Sequence, residues 1–120
     1  MRKFAAVILA GLCLGAWAAP VFAKPETVTG DVVSLSCYFN DKKNIGKAGL
    51  LCALATVKYE GNPVGIVAPD GKVYQLAGGL VANRNAKAVP LLGHKATVTG
   101  EVTEKAGIMV ITADDAKLAE

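Results

Sequence analysis

The chain is poor in the side chains that carry out chemistry. It has three cysteines, one histidine (His94) and one tryptophan (Trp17). It contains no CxxC, so a thioredoxin-type dithiol centre has no basis. It also contains no HExxH, no glycine-rich phosphate loop and no Ser–His–Asp or His–Cys spacing of the hydrolase kind. The adjacent carboxylates Asp114 and Asp115 sit in "ADDAKLAE", where a final turn is the simpler expectation than an acid–base pair. An enzyme is therefore not expected. No linker, low-complexity tract or long run of like charge divides the chain.

The sequence opens on "MRKFAAVILAGLCLGAWAAPVFAKPETV". Arg2 and Lys3 form a positive start, Phe4 to Ala19 is apolar, and Pro20 breaks the helix. Val21 and Ala23 put small residues where a signal peptidase reads them, so residues 1–23 are expected to be a secretory signal cleaved after Ala23. The apolar run is shorter than the ~20 residues a membrane span needs. Cys13 follows Leu12, where a lipoprotein signal carries a small residue, so lipid anchoring does not fit. The expected location is periplasmic or secreted, with no membrane span after cleavage.

Cleavage removes Trp17, Cys13 and most of the excess charge. The remaining 24–120 segment has eleven basic residues, once Arg2 and Lys3 are gone, against ten acidic ones. That balance gives no electrostatic case for nucleic acid or an anionic membrane. Four aromatics remain, Tyr38, Phe39, Tyr59 and Tyr74. Binding of single-stranded nucleic acid uses aromatic platforms in a basic groove, and neither the number nor the charge suits it. A segment of this length is one domain with a modest core.

Two near-identical hexapeptides, "TVTGDV" at Thr27 and "TVTGEV" at Thr97, start seventy positions apart. In the first, Val28, Gly30 and Val32 share one face at period two. The phase then slips, and Val33, Leu35, Cys37 and Phe39 share the other. A long first strand that bends near Gly30, through a bulge or a sharp coil, accounts for the slip. In the second, Ala96, Val98, Gly100 and Val102 face together. "EKAG" (Glu104 to Gly107) reads as a hairpin turn into "IMVIT". Pro69-Asp70-Gly71 joins "PVGIVA" to "KVYQLA" as a second hairpin. Residues 47–60 carry two patterns. Leu50, Leu51, Leu54 and Val57 fit a helix capped by Gly61, whereas Ala55, Val57 and Tyr59 alternate as in a strand. The Leu/Ala-rich first half has no strand pattern, and helix is the reading adopted. "LVANRNAKAVPLLG" predicts a short helix with irregular ends, because Pro90 forbids a long one.

The resulting order is strand, helix, strand, strand, short helix, strand, strand. It predicts a mainly β (α+β) protein, a five-stranded oligonucleotide/oligosaccharide-binding (OB)-like barrel. One helix follows strand 1, and a short helix lies between strands 3 and 4. First and fourth strands are neighbours in such a barrel. The twin glycines are then expected to be coil points of two adjacent curved strands rather than traces of a repeat.

At "GDVVSLSCYF", "EGNPVGIVAPDGKVYQL" and "LLGHKATVTGEV" the chain resembles a family of small exported bacterial proteins with this barrel and no assigned function. Members carry His-x-x-Cys-Ala-x-x-Cys after Cys-Tyr, spaced like metal or haem-type ligands. Here only Cys52-Ala53 matches; Gly49 stands at the His position and Thr56 near the second Cys. The resemblance therefore implies the fold, and a ligand set lost in this member.

Cys37 and Cys52 are the remaining thiols, and in an oxidising compartment a disulfide is the simplest expectation. It would close a loop of about fifteen residues, worth about 3 kcal/mol in the chain-entropy model. Two buried thiols are a second possibility. A third is a copper or zinc site of Cys37, Cys52 and His94. No cofactor is expected. The function expected is a non-catalytic binding module of the cell envelope, with a small molecule, a glycan or an envelope protein as partner. The loop Asn40–Lys47 and the Asn83–Asn85 stretch are the places expected to meet a ligand.

The exported form is predicted to begin at Lys24 and to lack tryptophan fluorescence. Intact-mass measurement and emission of the secreted protein check both. A secreted species that still emits as tryptophan would show that the signal is retained.

Overall fold

The computed structural model describes residues 24–120. The expected signal segment, with Cys13 and Trp17, lies outside the described residues. The described chain forms β1 (Lys24–Ser34), α1 (Leu35–Asn40), β2 (Val64–Val67), β3 (Val73–Ala77), β4 (Lys95–Lys105), β5 (Ile108–Thr112) and β6 (Ala116–Leu118). Between α1 and β2 runs one continuous helical stretch. It is a 3-10 turn at Gly46–Gly49, a short helix α2 (Leu50–Ala53), and π-turns over Leu54–Tyr59. Short helical turns at Gly78–Val81 and Val89–Leu91 carry the chain from β3 to β4.

The twin hexapeptides pair with each other. In the antiparallel β1–β4 ladder Thr27 faces Thr99, Val28 faces Val98 and Thr29 faces Thr97. The threonine hydroxyls meet outside the barrel, at 3.0 Å for Thr27–Thr99 and 2.8 Å for Thr29–Thr97. Val28 and Val98 are buried inside. This register relates the two segments by a local two-fold rotation, which maps Gly30 onto Gly100. Immediately after each glycine the strand gains a new partner. Asp31 opens the pairing with β2, opposite Val67, and Glu101 opens the pairing with β5, opposite Thr112.

The glycines are needed for room. Neither takes a left-handed backbone. A Cβ on Gly30 would lie 2.7 Å from the Val67 carbonyl carbon and closer to its oxygen; on Gly100 it would lie 2.9 Å from the Thr112 carbonyl carbon. No side chain fits where the incoming strand crosses so closely. Pairing then runs β1-β2-β3-β5-β4 and back to β1, which closes a five-stranded barrel. Every contact is antiparallel except β3–β5, which is parallel.

Both expected hairpins form. Lys105 pairs with Ile108 across Ala106 and Gly107, whose φ of 52° and 81° suit a two-residue turn that follows the strand twist. At the other, Lys72 N–H donates to Asp70 Oδ1 at 3.0 Å and Gly71 has φ 89°.

Four expectations need correction. The phase slip after Val32 is no bulge, since the registers with β2 and β4 are continuous. Val33 instead joins a second core on the outer face of the barrel, with Leu35, Tyr38 and Val67. The first strand ends at Ser34, so Cys37 and Phe39 lie on α1. Ser34 caps that helix, its hydroxyl accepting the Cys37 N–H at 3.5 Å. Leu51 is 83% exposed, and the buried face of the helical stretch is Ala53 and Val57, flanked by half-buried Leu50 and Leu54. The C-terminal segment is the strand β6, paired with β4 from Ala96 to Val98.

Residues 47–60 are helical, as the Leu/Ala-rich half suggested. Gly61, with φ 73°, ends the stretch. Its N–H donates to the Val57 carbonyl four residues back, as in an α-helix, and the Asn62 N–H donates to the Thr56 carbonyl six residues back, a closure two residues wider.

Gly30→Val and Gly100→Val are each predicted to destabilise by at least the ~1–3 kcal/mol of an overpacked core. Denaturant melts check this. Wild-type midpoints in both variants would show that the strand crossings tolerate a side chain.

Candidate functional site

The barrel has a cleft where α1 approaches the β4–β5 hairpin. Leu35 and Phe39 of α1 form one wall, Gly107, Ile108 and Met109 the other, and Val73 and Gln75 of β3 the floor, with Pro63 at one end. Its volume is about 320 Å³. Phe39 is 63% exposed and Ile108 52% exposed, although both are large and apolar. Gln75 is the one polar side chain in the lining. The cleft therefore offers a ligand apolar contact and one hydrogen-bonding amide.

Local sequence explains the walls. Ser34 turns the chain from strand to helix, so Leu35 and Tyr38 point back onto Val33 and Val67 while Phe39 is left outward. Ala106 and Gly107 fold β5 back so that Ile108 stands at the hairpin tip. Phe39 is thus a rim residue, whereas strand parity places it on one face with Val33, Leu35 and Cys37.

The disulfide pair lies behind α1. Cys37 and Cys52 are at disulfide distance, with Cα atoms 6.2 Å apart and a sequence separation of 15. Thr56 Oγ1 lies 2.7 Å from Ser34 Oγ, 2.9 Å from the Cys52 carbonyl oxygen and 3.5 Å from Cys37 Sγ. The π-turns bring Thr56 to this position. Cys37 is buried and Cys52 half-buried.

His94 does not join the cysteines in a ligand set. Its Nδ1 pairs with Glu120 Oε1, and its backbone carbonyl accepts the Val32 N–H at 2.9 Å. Among the described residues no group of three His, Cys, Asp or Glu side chains is placed to hold a metal. Asp114 and Asp115 have separate roles. Asp114 Oδ1 accepts the Gly79 N–H at 3.2 Å, and Asp115 pairs with Lys87 Nζ at 2.9 Å.

Of the two loops expected to meet a ligand, Asn40–Lys47 is held to α1. Asn44 Nδ2 donates to the Cys37 carbonyl at 3.0 Å and Lys43 N–H to Asp41 Oδ1 at 2.9 Å. Of the Asn83–Asn85 stretch, Arg84 and Asn85 border a different cavity, away from the cleft lining. Sequence reading missed the cleft itself. The signal was Ser34 as a helix cap, three residues before Cys37, which would have taken Phe39 off the strand.

A closed barrel of this strand order, with a cleft between the β1–β2 connection and the β4–β5 hairpin, is OB-like. Compared with family models, curated proteins and solved structures, the chain matches none. The family resemblance drawn from the motifs has no support from those comparisons.

Two outcomes are predicted. Reduction of Cys37–Cys52 lowers stability by about 3 kcal/mol, the loop-closure value for fifteen residues. Thermal melts with and without reductant check it, with Cys37→Ser/Cys52→Ser unresponsive. The second concerns pH. The hydrogen bond from His94, then the Lys95 N–H, hold the Glu120 carboxyl below its ordinary range. A depressed carboxylate stabilises above its unfolded-state value and loses that contribution as pH falls through the lowered folded value. The protection of the β6 amides, taken relative to their intrinsic exchange rate at each pH, should therefore fall on acidification through the carboxylate range. Glu120→Gln should flatten this dependence.

Proposed function

We propose that the protein is an exported, non-catalytic binding module of the cell envelope, and that the apolar cleft is its binding site. The observation that carries this reading is the pair of exposed apolar side chains, Phe39 and Ile108, on opposite walls of a cleft of about 320 Å³. Large apolar groups on either side of a concave site have a use when a ligand covers them. The position supports the reading too, because OB barrels use the strand 2–3 face and the loops after strands 1 and 4 for ligands.

The lining selects the ligand class. Leu35, Phe39, Val73, Ile108 and Met109 are apolar, and no Lys or Arg lines the cleft. A phosphate backbone would find no counter-charge there. An apolar portion of a small molecule, or an apolar side chain of an envelope protein, fits better than a bare polar sugar. Met109 adds an adaptable surface. Export rests on the residue 1–23 signal pattern, and a periplasmic or secreted location follows from it.

The test is retention from envelope extract by wild type and by Ile108→Asp. A charge at the hairpin tip should weaken binding tenfold or more while leaving the melting temperature unchanged, because Ile108 is outside both cores. Phe39→Ser should act in the same direction. Equal retention by wild type and both variants would remove the cleft from the function.

A further inference from the structure

Asn83, Arg84 and Asn85 have φ of 54°, 59° and 63°. Isolated left-handed residues other than glycine are uncommon, and Asn tolerates that region far better than Arg. Three in succession form a left-handed turn, closed by the Ala86 N–H on the Ala82 carbonyl at 3.3 Å. Such backbone persists only where its surroundings hold it. Here Asn85 is buried, its amide donates to the Val57 carbonyl at 3.5 Å, and its own carbonyl accepts the Ala88 N–H at 3.0 Å. Chain reversal alone would be met by glycine without strain. An arginine at the centre of the turn calls for a reason in its side chain.

The turn is one wall of a cavity of about 290 Å³, and the other wall is the end of the helical stretch, Lys58 to Gly61. The cavity is bordered by two cations, Lys58 and Arg84, and one carboxylate, Glu60. Tyr59 is 75% exposed beside it, with Lys58 Nζ 5.5 Å from its ring centroid. Lys58 has an ordinary role at the negative end of a helix. Arg84 has none. Among the described residues the ion pairs are Lys87–Asp115 and His94–Glu120, so Arg84 is tied to neither.

We infer that this cavity binds a small oxyanion, a carboxylate or phosphate group on a molecule the size of one sugar or amino acid. The planar guanidinium of Arg84 grips two oxygens of the group, as its fork geometry favours. Lys58 supplies the second positive charge, and Glu60 accepts a hydroxyl or amine of the same molecule. The site shares no lining residue with the apolar cleft, so it stands or falls separately.

The test is a nitrogen–proton NMR titration of the folded protein with sodium phosphate and, separately, sodium acetate, against sodium chloride at equal ionic strength. Saturable shifts of Arg84 Nε–H and of the Lys58–Gly61 amides are expected. Saturation by phosphate alone assigns a phosphate, and by acetate alone a carboxylate. Arg84→Lys keeps the charge without the fork and should weaken binding at least tenfold. Arg84→Asn accepts the left-handed backbone and should abolish binding with a melting temperature equal to or above wild type. Shifts that are linear and alike in all three salts would overturn the proposal. So would full affinity in Arg84→Lys, or a fall in melting temperature in Arg84→Asn, which would make the arginine structural.

Discussion

Everything in this barrel depends on two places where one strand crosses another too closely for a side chain. At Gly30 the end of β2 lies against β1, and at Gly100 the end of β5 lies against β4. Each crossing lets one long strand serve two neighbours. β1 leaves β4 for β2 after Asp31, and β4 adds β5 from Glu101. Without both exchanges the sheet would stay open. The sequence TVTG meets the whole requirement at each crossing. Valine points inward, threonines pair outward, and glycine yields space to the incoming carbonyl. The near-identity of the hexapeptides thus reflects one geometric problem solved on two strands that pair with each other.

The second organising feature is the passage from β1 to α1 at Ser34. Its hydroxyl caps the helix, and a residue later the Leu35 N–H still bonds the Pro63 carbonyl at the mouth of β2. Leu35 and Tyr38 can then cover Val33 and Val67 outside the barrel, which makes a second small core. The Cys37–Cys52 pair ties this helix to α2, whose continuation sends Val57 into the main core. The wall of the apolar cleft is therefore backed by the Cys37–Cys52 pair at disulfide distance and supported from beneath by packing. A rigid wall favours binding, because less order has to be gained when a ligand arrives.

The two cavities differ in the chemistry they offer. The cleft is lined by aliphatic and aromatic groups with a single amide, whereas the cavity beside Arg84 is bordered by three charges. The second stands against a left-handed turn, and the first against regular elements. A module with both could hold the apolar and the anionic parts of different molecules.

What the sequence determined alone was the architecture. Period-two patterns, the Asp70-Gly71 and Ala106-Gly107 turns, and the glycines at 30 and 100 suffice for a five-stranded barrel with β1 beside β4, because each is a local signal that the fold satisfies locally. The cysteine pair was legible for the same reason, as two thiols fifteen positions apart. Tertiary structure decided the rest. Val33 looked like a slipped register because its burial comes from α1, an element whose only sequence mark is the Ser34 cap. Phe39 left the face of Val33 and Leu35 for the rim once strand gave way to helix, since a helix turns each residue by about 100° where a strand turns it by 180°. The segment after Asp115 became a strand only because β4 has an edge free beyond β5, from Ala96 to Val98. The left-handed backbone at Arg84 has no sequence signature at all, because arginine does not choose that region unless the surrounding packing holds it there.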